Sequence, residues 1–197
     1  MLVKTYASAV NGIDAQTITV EVNAGGNVTL GKMGYFLVGL PDNAVKESHQ
    51  RIEAALKNNG YKIPGKKIVI NMAPADIRKE GSAYDLTIAI GILAASEQIK
   101  YETVGDFIIM GELSLDGTLQ PITGALPIAI EAMKRKFKGV ILPLQNAKEA
   151  SIVNNINVYG VNNISEVIKF FNGEQNLKPV VTDLRQEFLN GMNDFEA

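Results

Sequence analysis

The apolar positions of this chain follow two rhythms, one of period two and one of period near 3.6. Leu2 to Val10 is strand-like, and Ile13 to Val22 sets Ile18, Val20 and Val22 against Thr17, Thr19 and Glu21. Such alternation marks a half-buried strand, and Asn11-Gly12 between the runs is a hairpin turn. Tyr35 to Gly39 reads as another strand, ended by Gly39-Leu40-Pro41-Asp42. A helix follows, with Asp42 or Asn43 as its cap and Gly60 as its stop. Val45, Ser48, Ile52, Ala55 and Leu56 form one stripe along it. Ile68-Val69-Ile70 is a buried strand feeding a charged loop with Pro74, Asp76, Arg78, Lys79, Glu80 and Gly81. Leu86 to Ala95 is apolar at nearly every position, which predicts a core helix. Ser82 or Asp85 is the expected N-cap.

The second half continues the alternation of strand and helix. Phe107–Met110 is a strand, and Asp116-Gly117 turns a hairpin. A helix is predicted over Ala125 to Lys136, then a strand at Val140 to Pro143 and a short helix from Gln145 to Val153. A strand at Asn157–Val161 and a helix ending near Phe171-Asn172-Gly173 follow. Alternating units of this kind predict the α/β class. From Glu174 the chain turns polar, so 1–173 reads as one domain and 174–197 as a linker or tail. Leu184, Phe188 and Leu189 offer it one amphipathic turn.

Composition narrows the chemistry. With 197 residues, 46% of them hydrophobic and 20% charged, the chain can bury a sizeable core. It has no cysteine, so a disulfide framework and a thiolate metal site are excluded, which suits a reducing, cytoplasmic setting. Its single histidine, His49, excludes a multi-histidine metal site and reads as a solvated or locally bonded side chain. The net charge of −2 argues against a nucleic-acid groove here. Lys134, Arg135, Lys136 and Lys138 read as cations favouring a helix C-terminus rather than as a nucleic-acid patch. No signal peptide or membrane-length apolar run is visible.

Gly26 to Lys32 matches most of a phosphate-binding loop, G-x-x-x-x-G-K, but the match is rejected. Met33 stands where a Ser or Thr should meet magnesium, and the loop opens a strand instead of a helix.

Four blocks, in order, resemble one family. They are Val38-Gly39-Leu40-Pro41-Asp42 with Val45-Lys46-Glu47-Ser48; Asn71, Ala73-Pro74-Ala75-Asp76 and Arg78-Lys79-Glu80-Gly81; Asp85-Leu86, Ile88-Ala89 and Gly91-Ile92-Leu93-Ala94; and Gly111-Glu112-Leu113 with Leu115-Asp116-Gly117. They resemble the N-terminal domain of the magnesium chelatase-related, competence ComM/YifB-type AAA+ ATPases. The resemblance covers about residues 2–173. It implies a Lon-protease proteolytic-domain-like fold (ribosomal-protein domain-like), a mixed sheet with packed helices. It also implies that the chain is a piece cut before an AAA+ module, where ATP and magnesium would bind, with no cofactor or metal in this part. For the intact protein it implies a hexameric ring of neighbouring subunits acting on DNA, in branch migration during recombination in natural transformation.

Lon-type peptidases use a serine nucleophile and a lysine base. The resemblance sets Ala83 at the serine position, with Ser82 one residue early. At the lysine position it sets Pro127, within Gly124-Ala125-Leu126-Pro127. The next lysine, Lys134, lies about 10 Å further along a helix, beyond the roughly 3 Å reach of a base. The expectation is therefore a peptidase fold without catalytic residues, serving as an accessory and assembly domain. Asp76, Arg78, Lys79, Glu80 and Asp85 are the candidate binding edge for a partner, a neighbouring subunit or nucleic acid. The alternative is a residual serine peptidase using Ser82 with an unrecognised base. A magnesium-chelatase-like small-molecule role finds no metal or tetrapyrrole site in these residues.

Overall fold

The alternation of Ile18, Val20 and Val22 becomes the buried face of a long hairpin. β1 (Leu2–Asn11) and β2 (Asp14–Ala24) pair antiparallel from Leu2↔Asn23 to Asn11↔Asp14. Gly12, at φ +63, makes the turn, as the Asn-Gly signal predicts. This is a computed structural model, and it describes residues 1–26 and 34–184 together with 186, 189 and 191.

β3 (Tyr35–Val38) leads through Leu40 to α1 (Asn43–Asn58), capped by Asp42, whose carboxylate accepts from Val45 N–H at 2.8 Å. The buried residues of α1 are the five of the predicted stripe. β4 (Ile68–Ala73) and α2 (Asp85–Ala95) follow, and every residue of α2 is buried. Next come a 3-10 turn (Val104–Asp106), β5 (Phe107–Ile109), and the small hairpin of β6 (Glu112–Leu113) and β7 (Leu119–Gln120). α3 (Ala125–Lys134), β8 (Gly139–Pro143), α4 (Leu144–Ala150), β9 (Asn157–Val161) and α5 (Ile164–Asn172) complete the order. α3 stops two residues short of the predicted end, where Lys136 takes φ +62. α4 ends before Val153, at a cap on Ser151.

The larger sheet runs β3-β4-β2-β1-β5-β8-β9. It is mixed: β1–β2 and β2–β4 are antiparallel, and the other pairs are parallel. The α/β class and the mixed sheet with packed helices are as expected. α2 lies on the face carrying Thr5, Val20 and Val22; a methyl on Gly91 would come within 2.7 Å of Val22. α3 covers part of the opposite face, where Glu131 accepts from Thr17 Oγ1 at 2.9 Å. Thr5 donates to the Thr87 carbonyl at 3.1 Å, and Thr87 to the Ile109 carbonyl, so these two contacts tie α2 to β1 and β5.

The start of the polar tail is docked. Leu177 and Val180 pack on the core, and Val180 N–H reaches the Val158 carbonyl at 2.8 Å along the β9 edge. Residues 27–33 of the phosphate-loop look-alike, Phe188 of the predicted amphipathic turn, and residues 193–197 lie outside the described residues.

Candidate functional site

The charged loop between β4 and α2 does not present its five candidate residues as one edge. Asp76 is exposed, and Arg78 and Glu80 are exposed and paired with each other at 3.0 Å. Lys79 is 0% exposed. Its Nζ donates to the Gly39 carbonyl at 2.7 Å and to the Pro74 carbonyl. The cause is a short parallel bridge, Pro41↔Lys79, that fastens the loop to the corner between β3 and α1. Lys79 N–H bonds Leu40 O, Asp42 N–H bonds Lys79 O, and Gly81 N–H bonds the Asp42 carboxylate. Backbone pairing there alternates the side chains, so Arg78 and Glu80 face out and Lys79 faces in. Burial lowers the Lys79 ammonium pKa, against a smaller opposing effect of Asp76.

Asp85 is buried too, and it caps nothing. The N-cap position of α2 is Tyr84, without a side-chain cap bond. Asp85 instead meets Arg51 of α1 in a two-point pair, Nε at 2.7 Å and Nη2 at 2.9 Å, and accepts from Leu113 N–H at 3.1 Å. Burial pushes its carboxyl pKa up, while Arg51 and Leu113 pull it down. The pair joins α1, α2 and the β6 hairpin at one point.

Ser82, the other expected cap, donates its hydroxyl to the Glu112 carboxylate. Beside it, the Ala83 carbonyl accepts from Gly111 N–H at 2.8 Å. Pro127 sits in the first turn of α3, where its missing N–H is dispensable. Lys79 is committed to carbonyls and Lys134 stands exposed at the far end of α3. The partner of Ser82 is thus a carboxylate, a far weaker base toward an alcohol than a desolvated amine. Sequence reasoning missed Glu112 and Arg51. Glu112 stood in view within Gly111-Glu112-Leu113, but nothing local joins it to Ser82.

Ser82, Ala83 and Glu112 line a cleft of about 610 Å³ between β1, the loop at Gly81–Tyr84, and the segment at Pro121–Thr123. Ser8, Val10, Ser82, Tyr84, Glu112 and Ile122 are among its walls. Among the described residues no group of three His, Cys, Asp or Glu side chains is placed to hold a metal ion. No helix among them is long and apolar enough to cross a membrane.

His49 packs on the Tyr35 ring at 4.4 Å between centroids. Its Nδ1, the Tyr35 hydroxyl and the Ser48 hydroxyl are buried without a hydrogen-bond partner among the described residues. Two cations of the basic run at the end of α3 are locally paired: Arg135 with Glu131 at 3.0 Å and Lys138 with Asp106 at 2.7 Å. Phe137, inside that run, packs edge-to-face on Tyr6 at 5.2 Å.

Burial raises the Tyr35 phenol from 10.0 to about 12, and raises Tyr84 as well. The folded state therefore keeps protons that the unfolded chain releases above pH 10. The associated stability is complete below pH 10 and is lost as pH rises toward 12. The urea midpoint is expected to fall across that window, and Tyr35→Phe with Tyr84→Phe to flatten the fall. An unchanged slope in the double variant would contradict this.

Comparison with known proteins places the chain among relatives. Residues 17–146 match the family described as subunit ChlI of Mg-chelatase. The competence protein ComM of Haemophilus influenzae is 41% identical over 182 residues, which is 92% of this chain and 35% of that protein. YifB of Escherichia coli is 40% identical over 179 residues, 90% of this chain and 34% of that protein. A Lon protease of Trichlorobacter lovleyi is 24% identical over 84% of this chain and 22% of its own length. The chain thus spans about a third of the length of ComM and YifB.

Proposed function

The chain belongs to the Mg-chelatase ChlI-subunit family, with ComM and YifB among its relatives, and from that premise we propose that it is a non-catalytic accessory and assembly domain. Its fold is that of a Lon-type proteolytic domain whose catalytic pair is gone. It works beside an AAA+ module of the same protein, which binds ATP and magnesium, in a hexameric ring of like subunits in the cytoplasm. The ring acts on DNA, in branch migration during recombination of incoming DNA in natural transformation. The printed name of ComM and the similarity to Lon support this reading.

The observation that carries it is the replacement of the dyad. The resemblance to Lon sets Ala83 and Pro127 at the two catalytic positions, and the nearby Ser82 hydroxyl is held by Glu112. The lysine that would take the serine proton in a Lon-type dyad has no counterpart beside Ser82, whose bonded partner is the weaker base of a carboxylate. Asp76, Arg78 and Glu80 remain the exposed part of the loop available to a neighbouring subunit.

Removing residues 1–173 from the intact protein tests the role. Assembly measured by sedimentation velocity with ATP should fall, and junction migration should fall with it. Unchanged assembly and migration would contradict an assembly role. The domain alone should give a flat DNA titration even at low salt, where phosphate contacts are strongest.

The second reading is a residual serine peptidase in which Glu112 acts as the base for Ser82. The hydroxyl–carboxylate bond favours it. Carboxylates do serve as general bases elsewhere, so it is put to the test that closes the Discussion.

A further inference from the structure

β1 extends beyond the strand beside it. At its start, Ala24 N–H bonds Met1 O at 3.0 Å, and Met1 N returns a bond to Ala24 O. That exchange sets the phase of the antiparallel ladder. Odd-numbered residues of β1 bond to β2, and even-numbered ones turn their N–H and C=O to the opposite edge. Ser8 obeys the phase, since its N–H points to the Met110 sulfur at 3.3 Å.

On that edge β5 pairs with β1 at Tyr6↔Ile108. β5 ends at Ile109, and the chain turns away. Met110 N–H bonds Ile141 O, and Gly111 N–H bonds Ala83 O. The Ser8 carbonyl and both main-chain groups of Val10 are left with no strand beside them among the described residues. Ser8 and Val10 both line the cleft. Across it stand Ser82 and Glu112. Arg78 and Glu80 neutralise each other, so the free sign of charge is the Glu112 carboxylate, whose hydrogen-bond partner is a neutral hydroxyl.

We propose that the open edge of β1 at Ser8–Val10 takes an extended polypeptide segment as an added strand, with a lysine or arginine of that segment reaching Glu112, and holds it uncut. The inference rests on the non-catalytic reading above. An extended main chain is the ligand whose alternating N–H and C=O groups match an open strand edge. The carboxylate across the cleft selects the sign of the side chain that crosses it.

The test is fluorescence anisotropy with the 197-residue chain. The probe is a fluorescein-labelled decapeptide of alternating valine and lysine. Its controls are a valine–glutamate version and a fully N-methylated version. Saturable binding is expected, weakened about tenfold or more in each control, the scale of losing one or two hydrogen bonds or a charge pair. Val10→Pro removes the outward N–H without touching the β2 ladder and should weaken binding comparably. Glu112→Gln should erase the preference for lysine over glutamate, which keeps the proposal testable if the proline variant fails to fold. Absence of saturable binding, or binding indifferent to N-methylation, would overturn the proposal. Mass spectrometry of the recovered peptide separates the two readings. Intact peptide without binding removes the added strand alone, whereas saturable binding with cleavage supports the strand and removes the non-catalytic reading.

Discussion

Gly39→Ala is expected to cost the domain at least about 3 kcal/mol, enough to lower its Tm by roughly 10 °C. Two effects add. Gly39 has φ +103, a region that L side chains rarely adopt. A Cβ at that position would also overlap the main-chain carbonyl of Met72 in β4, which cannot swing aside as a side chain would. The same residue offers its carbonyl to Lys79, so a shift of the corner would leave a buried ammonium short of an acceptor. Gly12→Ala is the control. It also has positive φ, +63, but a methyl there meets nothing within 4 Å, and about 1 kcal/mol is expected. Equal losses in the two variants by urea denaturation would mean that the contact with β4 is not the cause.

Asp85→Ala should be of similar size, about 3–5 kcal/mol. Its carboxylate is 1% exposed and pairs with an Arg51 side chain that is 21% exposed. Removing it leaves a guanidinium partly buried and uncompensated, and leaves Leu113 N–H without its acceptor. The charge alone does not stabilise the fold by that much. Taking two charges out of water costs nearly as much as their attraction returns, so removing both should be milder than removing one. The double variant Arg51→Met with Asp85→Leu is therefore expected to recover more than half of the loss. A double variant as unstable as Asp85→Ala would show that the pair stabilises through its own attraction.

The elements were legible where a local period carried them. The hairpin of β1 and β2, the stripe of α1 and the all-apolar α2 follow from side-chain spacing alone. The cap of α1 was legible from its chemistry, with Asp42 rather than Asn43 supplying it. Lys79 was not. A lysine between Arg78 and Glu80 reads as solvated, and its burial depends on a bridge to Pro41, far away in sequence. Asp85 is drawn from its expected capping role by Arg51, and Ser82 by Glu112, both more than a helix length away along the chain. Local patterns cannot register such partners, because the sheet order that brings them together is set by long-range pairing. The open edge of β1 has the same origin: it appears only once β5 is seen to stop at Ile109.

The most direct measurement is turnover of an unstructured, dye-quenched peptide by the 197-residue chain and by Ser82→Ala. No hydrolysis above the buffer blank is expected in either protein. Hydrolysis by the native chain that disappears in Ser82→Ala, and in Glu112→Gln, would contradict the non-catalytic reading and make the Ser82–Glu112 pair a working catalytic site.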